Sequence, residues 1–145
     1  MNQKLAEFSL LAELIPADRR ALAEFLTARE LDAGSALFRA SEEAEELFFI
    51  TDGSLSVRLE GQTIASLGGS EVLGALCLMN AGLRMCDAIA TEPTHVLCLS
   101  RESYSRLRAD QPALALKLEE AVLRSFASLV RNILVDGRAP IAGFS

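Results

Sequence analysis

Over the first fifteen residues Leu5, Phe8, Leu11, Ala12 and Ile15 recur at helical spacing, which predicts an amphipathic helix over residues 4 to 15 that Pro16 interrupts. Pro16 suits a first helical turn, so a second helix is predicted from there through Leu22, Ala23, Phe25 and Leu26, with Arg19, Arg20 and Glu24 outward. From Arg29 the period changes. Leu31, Leu37 and the run Leu47-Phe48-Phe49-Ile50 are short apolar segments, cut by Ala33-Gly34 and by an acidic loop from Ser41 to Glu46, and they read as strands. Asp52-Gly53 has the composition of a hairpin turn, after which Ser54 to Leu59 alternates as a strand with one buried and one wet face. Glu60-Gly61 is the next turn and Gln62 to Leu67 the next strand. Further strands are predicted at Cys86 to Ala90 and, after Glu92-Pro93-Thr94, at His95 to Leu99.

Helical periodicity then returns. Ser100 is an N-cap for a short helix carrying Tyr104 and Leu107, and Pro112 opens the longest helix of the chain, ending near Gly137. That last helix has two apolar lines. Leu114, Leu118, Val122, Ser125 and Leu129 form one seam; Leu123, Phe126, Val130 and Ile133 form another on a neighbouring face. One small core needs only one of them, so the second is expected to pack on another copy of the chain, on the N-terminal helices or on a partner. Short strands at regular spacing, joined by tight turns, argue for a sandwich or jelly roll rather than a parallel sheet. The predicted fold is α+β and mainly β: an eight-stranded jelly-roll barrel, or β-roll, flanked by N-terminal helices and a long C-terminal helix. Residues 1 to 136 are expected to form one domain, and residues 137 to 145, with Gly137, Pro140 and Gly143, a flexible tail.

Composition narrows the function classes. A chain of 145 residues, half apolar and 23% charged, is one ordinary globular domain. Its net charge of -6 disfavours nucleic acid and anionic membrane as partners. Three cysteines, Cys77, Cys86 and Cys98, lie in apolar runs without ligand-like spacing, and read as reduced core residues. No apolar segment is long enough to span a bilayer, and the N-terminus lacks the basic start and cleavage site of a signal peptide, so a cytoplasmic location is expected. His95, the only histidine, has no carboxylate or cysteine pair beside it in sequence and reads as structural. Nucleophile triads, paired catalytic carboxylates and metal-spaced ligands are not discernible, so an enzyme is the weakest class.

The stretch from Leu67 to Cys86, LGGSEVLGALCLMNAGLRMC, carries the candidate chemistry. A glycine-rich loop opening onto a short apolar turn offers backbone N–H groups to an anion, and a nearby guanidinium completes such a cradle. Arg84 fits that role, and equally fits a solvated or structurally paired arginine, with Asp87 three residues on as one candidate partner.

AGSALFRASEEAEELFFITDGSLSV resembles the glycine-led strand, acidic-loop strand and glycine-turn strand of the cyclic-nucleotide-binding domain, and LGGSEVLGALCLM followed by Arg84 resembles that family's phosphate-binding cassette. The likeness runs from about residue 8 to residue 134. It implies a β-roll that binds a cyclic nucleotide, cAMP or cGMP, and passes the event to the helix that follows. It also implies ligand contacts from Gly74, Ala75, Leu76, Arg84, Met85 and Cys86. The cassette departs from the family pattern at three places: Ala75 stands where the family has the glutamate that grips the ribose hydroxyl, Ser70 stands at a loop glycine, and Cys86 stands at the alanine two positions beyond the arginine. The gap across Asn80-Ala81-Gly82 admits a second register, with Met85 at the arginine position.

Three readings follow. In one, the chain is a non-enzymatic regulatory module sensing a nucleotide or another small anion with altered or weakened affinity. In another, it is a dimerisation or protein-interaction scaffold that has lost the ligand and works through Leu123, Phe126, Val130 and Ile133. A DNA-binding regulator is disfavoured by the absence of a basic surface. A homodimer through the C-terminal helix and a regulatory protein partner are expected; metal and nucleic acid are not.

Overall fold

The computed structural model describes residues 2–74 and 82–136. Its element order is α1 (Asn2–Leu5), a 3-10 turn (Ser9–Leu11), α2 (Pro16–Ala23), β1 (Thr27–Leu31), β2 (Ala36–Phe38), β3 (Glu46–Asp52), β4 (Ser54–Leu59), β5 (Gln62–Gly68), β6 (Val72–Leu73), β7 (Asp87–Ala90), β8 (Thr94–Ser100), α3 (Arg101–Asp110) and α4 (Pro112–Asp136). The strands form two antiparallel four-stranded sheets, ordered β1-β8-β3-β6 and β2-β7-β4-β5. The closed eight-stranded barrel expected from the sequence is instead an open two-sheet roll, because the chain repeatedly turns a corner from one sheet into the other rather than extending a single ladder.

Gly53 makes one of those corners. Asp52-Gly53 joins β3 of the first sheet to β4 of the second, so it is not the hairpin that the dipeptide predicts. At φ +100°, Gly53 packs directly on the Thr94 and Pro93 backbone, where no side chain fits. The true hairpin is β4–β5, turned at Glu60-Gly61 with positive φ at both residues, the geometry that matches the twist of antiparallel strands.

In the first sheet β3 is buried on both faces over Leu47 to Ile50, which explains that uninterrupted apolar run. Phe48 and Ile50 of β3, with Val96 and Cys98 of β8, point into the roll against Leu37, Phe38, Leu55, Val57, Leu73, Cys86 and Ala88. Leu47, Phe49, Leu97 and Leu99 point the other way, against Leu5, Phe8, Leu11, Leu22, Leu107, Leu114 and Leu118 of the helical layer. Phe8 meets Phe49 edge to face at 5.1 Å between centroids.

Other expectations change in detail. The predicted helix over 4 to 15 breaks into α1 and the 3-10 turn, since the backbone bonds there run three residues apart, from Phe8 to Leu5 and from Leu11 to Phe8. The break turns Leu14 inward and leaves Ile15 56% exposed. In β4 the alternation fails at Ser56, which is buried because Thr63 and Arg58 hydrogen-bond its hydroxyl on that face. The strand expected from Cys86 begins at Asp87. Ser100 caps α3 as predicted, its hydroxyl accepting from the Ser103 amide at 3.0 Å. In α4 the first seam holds at Leu114, Leu118, Val122 and Leu129, while Ser125 is exposed and Ala115 takes a buried place. Among the described residues no helix is long and apolar enough to cross a membrane.

Candidate anion site in the roll

Strand alternation fixes the inner wall of the site. Phe48 on β3 and Phe38 at the end of β2 face the roll interior and stack at 6.0 Å between centroids, 22° from coplanar. Opposite them runs the segment 82–84, held to the acidic loop by a short ladder: the Ala44 amide donates to the Gly82 carbonyl, Arg84 to Glu42, and Ser41 to Arg84, each at 2.8–2.9 Å. In such a ladder successive side chains point to opposite sides. Leu83 and Met85 are therefore 62% and 60% exposed, whereas Arg84 is 4% exposed and Cys86 is fully buried.

The Arg84 guanidinium lies 4.3 Å from the Phe38 ring centroid and 5.4 Å from that of Phe48, and its Nη2 donates to the Glu46 carbonyl at 2.7 Å. The arginine is thus not solvated, and it is Arg84 rather than Met85 that points inward. A guanidinium over aromatic faces exchanges water for cation–π contact, and the Glu46 carbonyl is one of its acceptors. Asp87, a candidate partner in the sequence, accepts instead from the Ala40 amide at 2.7 Å. The positive charge inside the roll is the feature that an anionic ligand would meet.

Gly74 is buried at φ +84°, and Ser70 adopts φ +73°, the left-handed region that favours glycine. The Ser70 amide donates to Ile50, and Ile50 in turn to Glu71, so this turn is pinned to the end of β3. Gly74 also lines a cavity of about 600 Å³ shared with Val72, Ser70 and, from α4, Arg124 and Ser125. The entrance to the cassette and the long helix therefore border one space. Ala75 and Leu76, together with Cys77, lie outside the described residues. Met85 points away from the interior, while Cys86 points into it.

Phe38, Phe48 and the Glu46 carbonyl were not singled out in the sequence. The parity of Phe48 with Ile50 was a usable signal for the ring; a backbone carbonyl leaves none. Beside Phe48 on the inner face of the roll, burial pushes the Cys98 thiol up to about 12, which favours the protonated form. The four residues of the second α4 seam are graded in exposure: Leu123 is 56% and Phe126 37% exposed, and Val130 and Ile133 are half-buried.

The family model described as cyclic nucleotide-binding domain matches residues 28–111, from β1 through α3, and so includes the whole roll and Arg84. The chain belongs to the cyclic nucleotide-binding domain family. It is 32% identical over 138 residues to a protein named Glutaminase 2 from Bradyrhizobium diazoefficiens, covering 94% of this chain and 21% of that protein. It is 31% identical over 96 residues to the cyclic AMP receptor protein of Thermus thermophilus, covering 63% of this chain and 44% of that protein. The chain thus spans less than half the length of either relative. Among solved structures, the N-terminal domain of a transcriptional regulator from Streptomyces coelicolor superposes with a TM-score of 0.79 at 24% identity, covering 86% of this chain and 93% of that one, which is a likeness of fold. The cyclic nucleotide-binding domain family is of regulatory type, and this chain has its two-sheet roll with a long terminal helix.

Proposed function

We propose that the chain is a non-enzymatic regulatory module that takes a cyclic mononucleotide or another small phosphate-like anion into the roll, and that α4 transmits the occupancy. The observation that carries this reading is the buried Arg84 guanidinium, seated on Phe38 and Phe48 and tied to the Glu46 carbonyl. A guanidinium facing the roll interior is complementary to a phosphate-like anion, which it binds through charge-assisted hydrogen bonds. The cyclic AMP receptor protein among its relatives supports a cyclic nucleotide as the ligand class. The cavity shared by Gly74 and Ser125 supports α4 as the element that responds.

Affinity is expected to be low. Ala75 lacks the carboxylate that the family uses on the ribose hydroxyl, and a lost charge-assisted hydrogen bond of roughly 1.5–3 kcal/mol weakens binding about 10- to 100-fold. The deciding experiment is a thermal-shift titration with cAMP and cGMP on the wild type and on Arg84→Met. A ligand-dependent rise in Tm that vanishes in the variant supports the reading; a flat response in the wild type to both removes a cyclic mononucleotide as the ligand.

The second reading is a dimerisation scaffold that no longer binds nucleotide, favoured by Leu123 and Phe126, which α4 leaves exposed beyond its core seam. A homodimer through this face is compatible with either reading, and the sensor would then signal by changing how two α4 helices meet.

A further inference from the structure

The only histidine of the chain sits in a setting that its sequence neighbours do not reveal. His95 lies on β8, the strand between β1 and β3 in the first sheet. Its Nδ1 is 2.9 Å from Asp52 Oδ1 on β3, and its Nε2 is 3.4 Å from Glu30 Oε1 on β1. Register places both carboxylates directly across from it, Glu30 on one side and Asp52 on the other. Both ring nitrogens can donate only when the ring is an imidazolium; a neutral ring turns a lone pair toward one of the two carboxylates. Arg29 of β1 and Lys4 of α1 are the other charged groups lining the same surface hollow.

What hangs on the Asp52 end of this link is the approach to the anion site. Asp52 precedes the Gly53 corner, and Gly69 packs on the backbone of Thr51 and Asp52, closely enough that an added Cβ would meet Thr51 O at 3.1 Å. The next residue, Ser70, donates its amide to Ile50 at 2.8 Å, and the Thr51 hydroxyl donates to the His95 carbonyl at 3.1 Å.

We propose that protonated His95 is a pH-responsive staple across β1, β8 and β3 that holds the end of β3 and, through it, the Gly69-Ser70 turn leading to Gly74. Deprotonation releases one of its two carboxylate contacts and raises local opening at that end of the sheet. The hydrogen bond and charge of Asp52, against the opposing effect of desolvation and with a lesser contribution from Glu30, raise the His95 pKa above its ordinary value of 6.5. Because the folded-state pKa is the higher one, the staple is fully made below about pH 6.5 and is lost as pH rises through the raised value. All three side chains are about half exposed or more, so the link is screened by salt and its effect is local opening rather than global unfolding.

The test needs no ligand, so it stands or falls apart from the proposed function. An NMR titration of the single imidazole between about pH 5 and about pH 9 is expected to give a midpoint above 6.5, moving down toward that value in Asp52→Asn. Amide exchange, corrected for the intrinsic pH dependence, is read at Ile50, Ser54 and Ser70, whose amides donate to Glu71, Thr94 and Ile50. Protection there is expected to fall severalfold across the His95 midpoint in the wild type and to be independent of pH in His95→Gln. A midpoint at or below the ordinary value, a midpoint indifferent to Asp52→Asn, or protection at these three amides that ignores pH in the wild type each overturns the proposal.

Discussion

The Arg84 guanidinium carbon lies 4.3 Å above the Phe38 ring, on the side of the roll where Phe48 is also within 5.4 Å of it. This places a permanent cation in a low-dielectric interior, where its partners decide whether it is tolerated. Phe38 and Phe48 supply ring faces and Glu46 supplies a carbonyl. The consequences of changing the charge are therefore different from those of changing the shape.

Arg84→Glu is expected to destabilise the domain by about 3–5 kcal/mol, since a carboxylate would face the negative faces of two rings and the Glu46 carbonyl without a counter-charge. Arg84→Met retains apolar contact with the rings and is expected to cost only about 1–2 kcal/mol. Urea denaturation of the two variants distinguishes them. The Met variant is for this reason the sound control for ligand titrations.

Gly53→Ala is expected to cost about 3 kcal/mol or more, because the corner needs φ +100° and the added Cβ would stand 2.5 Å from Thr94 Cα and 2.7 Å from Pro93 O. Neither atom is the end of a flexible side chain, so the backbone of β8 must shift. Gly61→Ala, also at positive φ but with open space around the Cβ position, should cost only about 1 kcal/mol. Thermal denaturation of the pair separates steric from conformational cost.

Ser70→Gly is expected to stabilise the chain by up to about 1 kcal/mol, as it relieves a left-handed backbone at φ +73° without touching the Ser70 amide bond to Ile50. A rise in Tm without ligand is the predicted reading. A fall would mean that the serine hydroxyl is used in the fold.

If α4 mediates self-association, Leu123→Glu with Phe126→Glu should weaken the dimer at least about 100-fold, since two large apolar anchors are replaced by charges. Sedimentation velocity across a concentration series reads this directly. Leu123→Glu alone, at a concentration where both forms are monomeric, should leave the melting temperature nearly unchanged, because Leu114, Leu118, Val122 and Leu129 still seat the helix.

The same residues show what the sequence determined alone and what it left to the tertiary structure. Local periodicity located most of the strands, the Ser100 cap, the α4 seam from Leu114 to Leu129 and the Glu60-Gly61 hairpin, since each depends on residues within a few positions of one another. The spacing of Gly74 and Arg84 was likewise legible. What periodicity could not say is which sheet a strand joins: Asp52-Gly53 has hairpin composition, yet Thr94 and Pro93 packed beneath Gly53 turn it into a corner between sheets. The direction of Arg84 was open for the same reason, because a one-residue slip in a strand exchanges inside for outside, and the ladder to Glu42 and Ser41 chose the register. His95 has no carboxylate beside it in sequence and two across the sheet, since antiparallel pairing joins residues 43 and 65 positions away. Side-chain type and local period belong to the chain; burial, register and cross-strand charge belong to the fold.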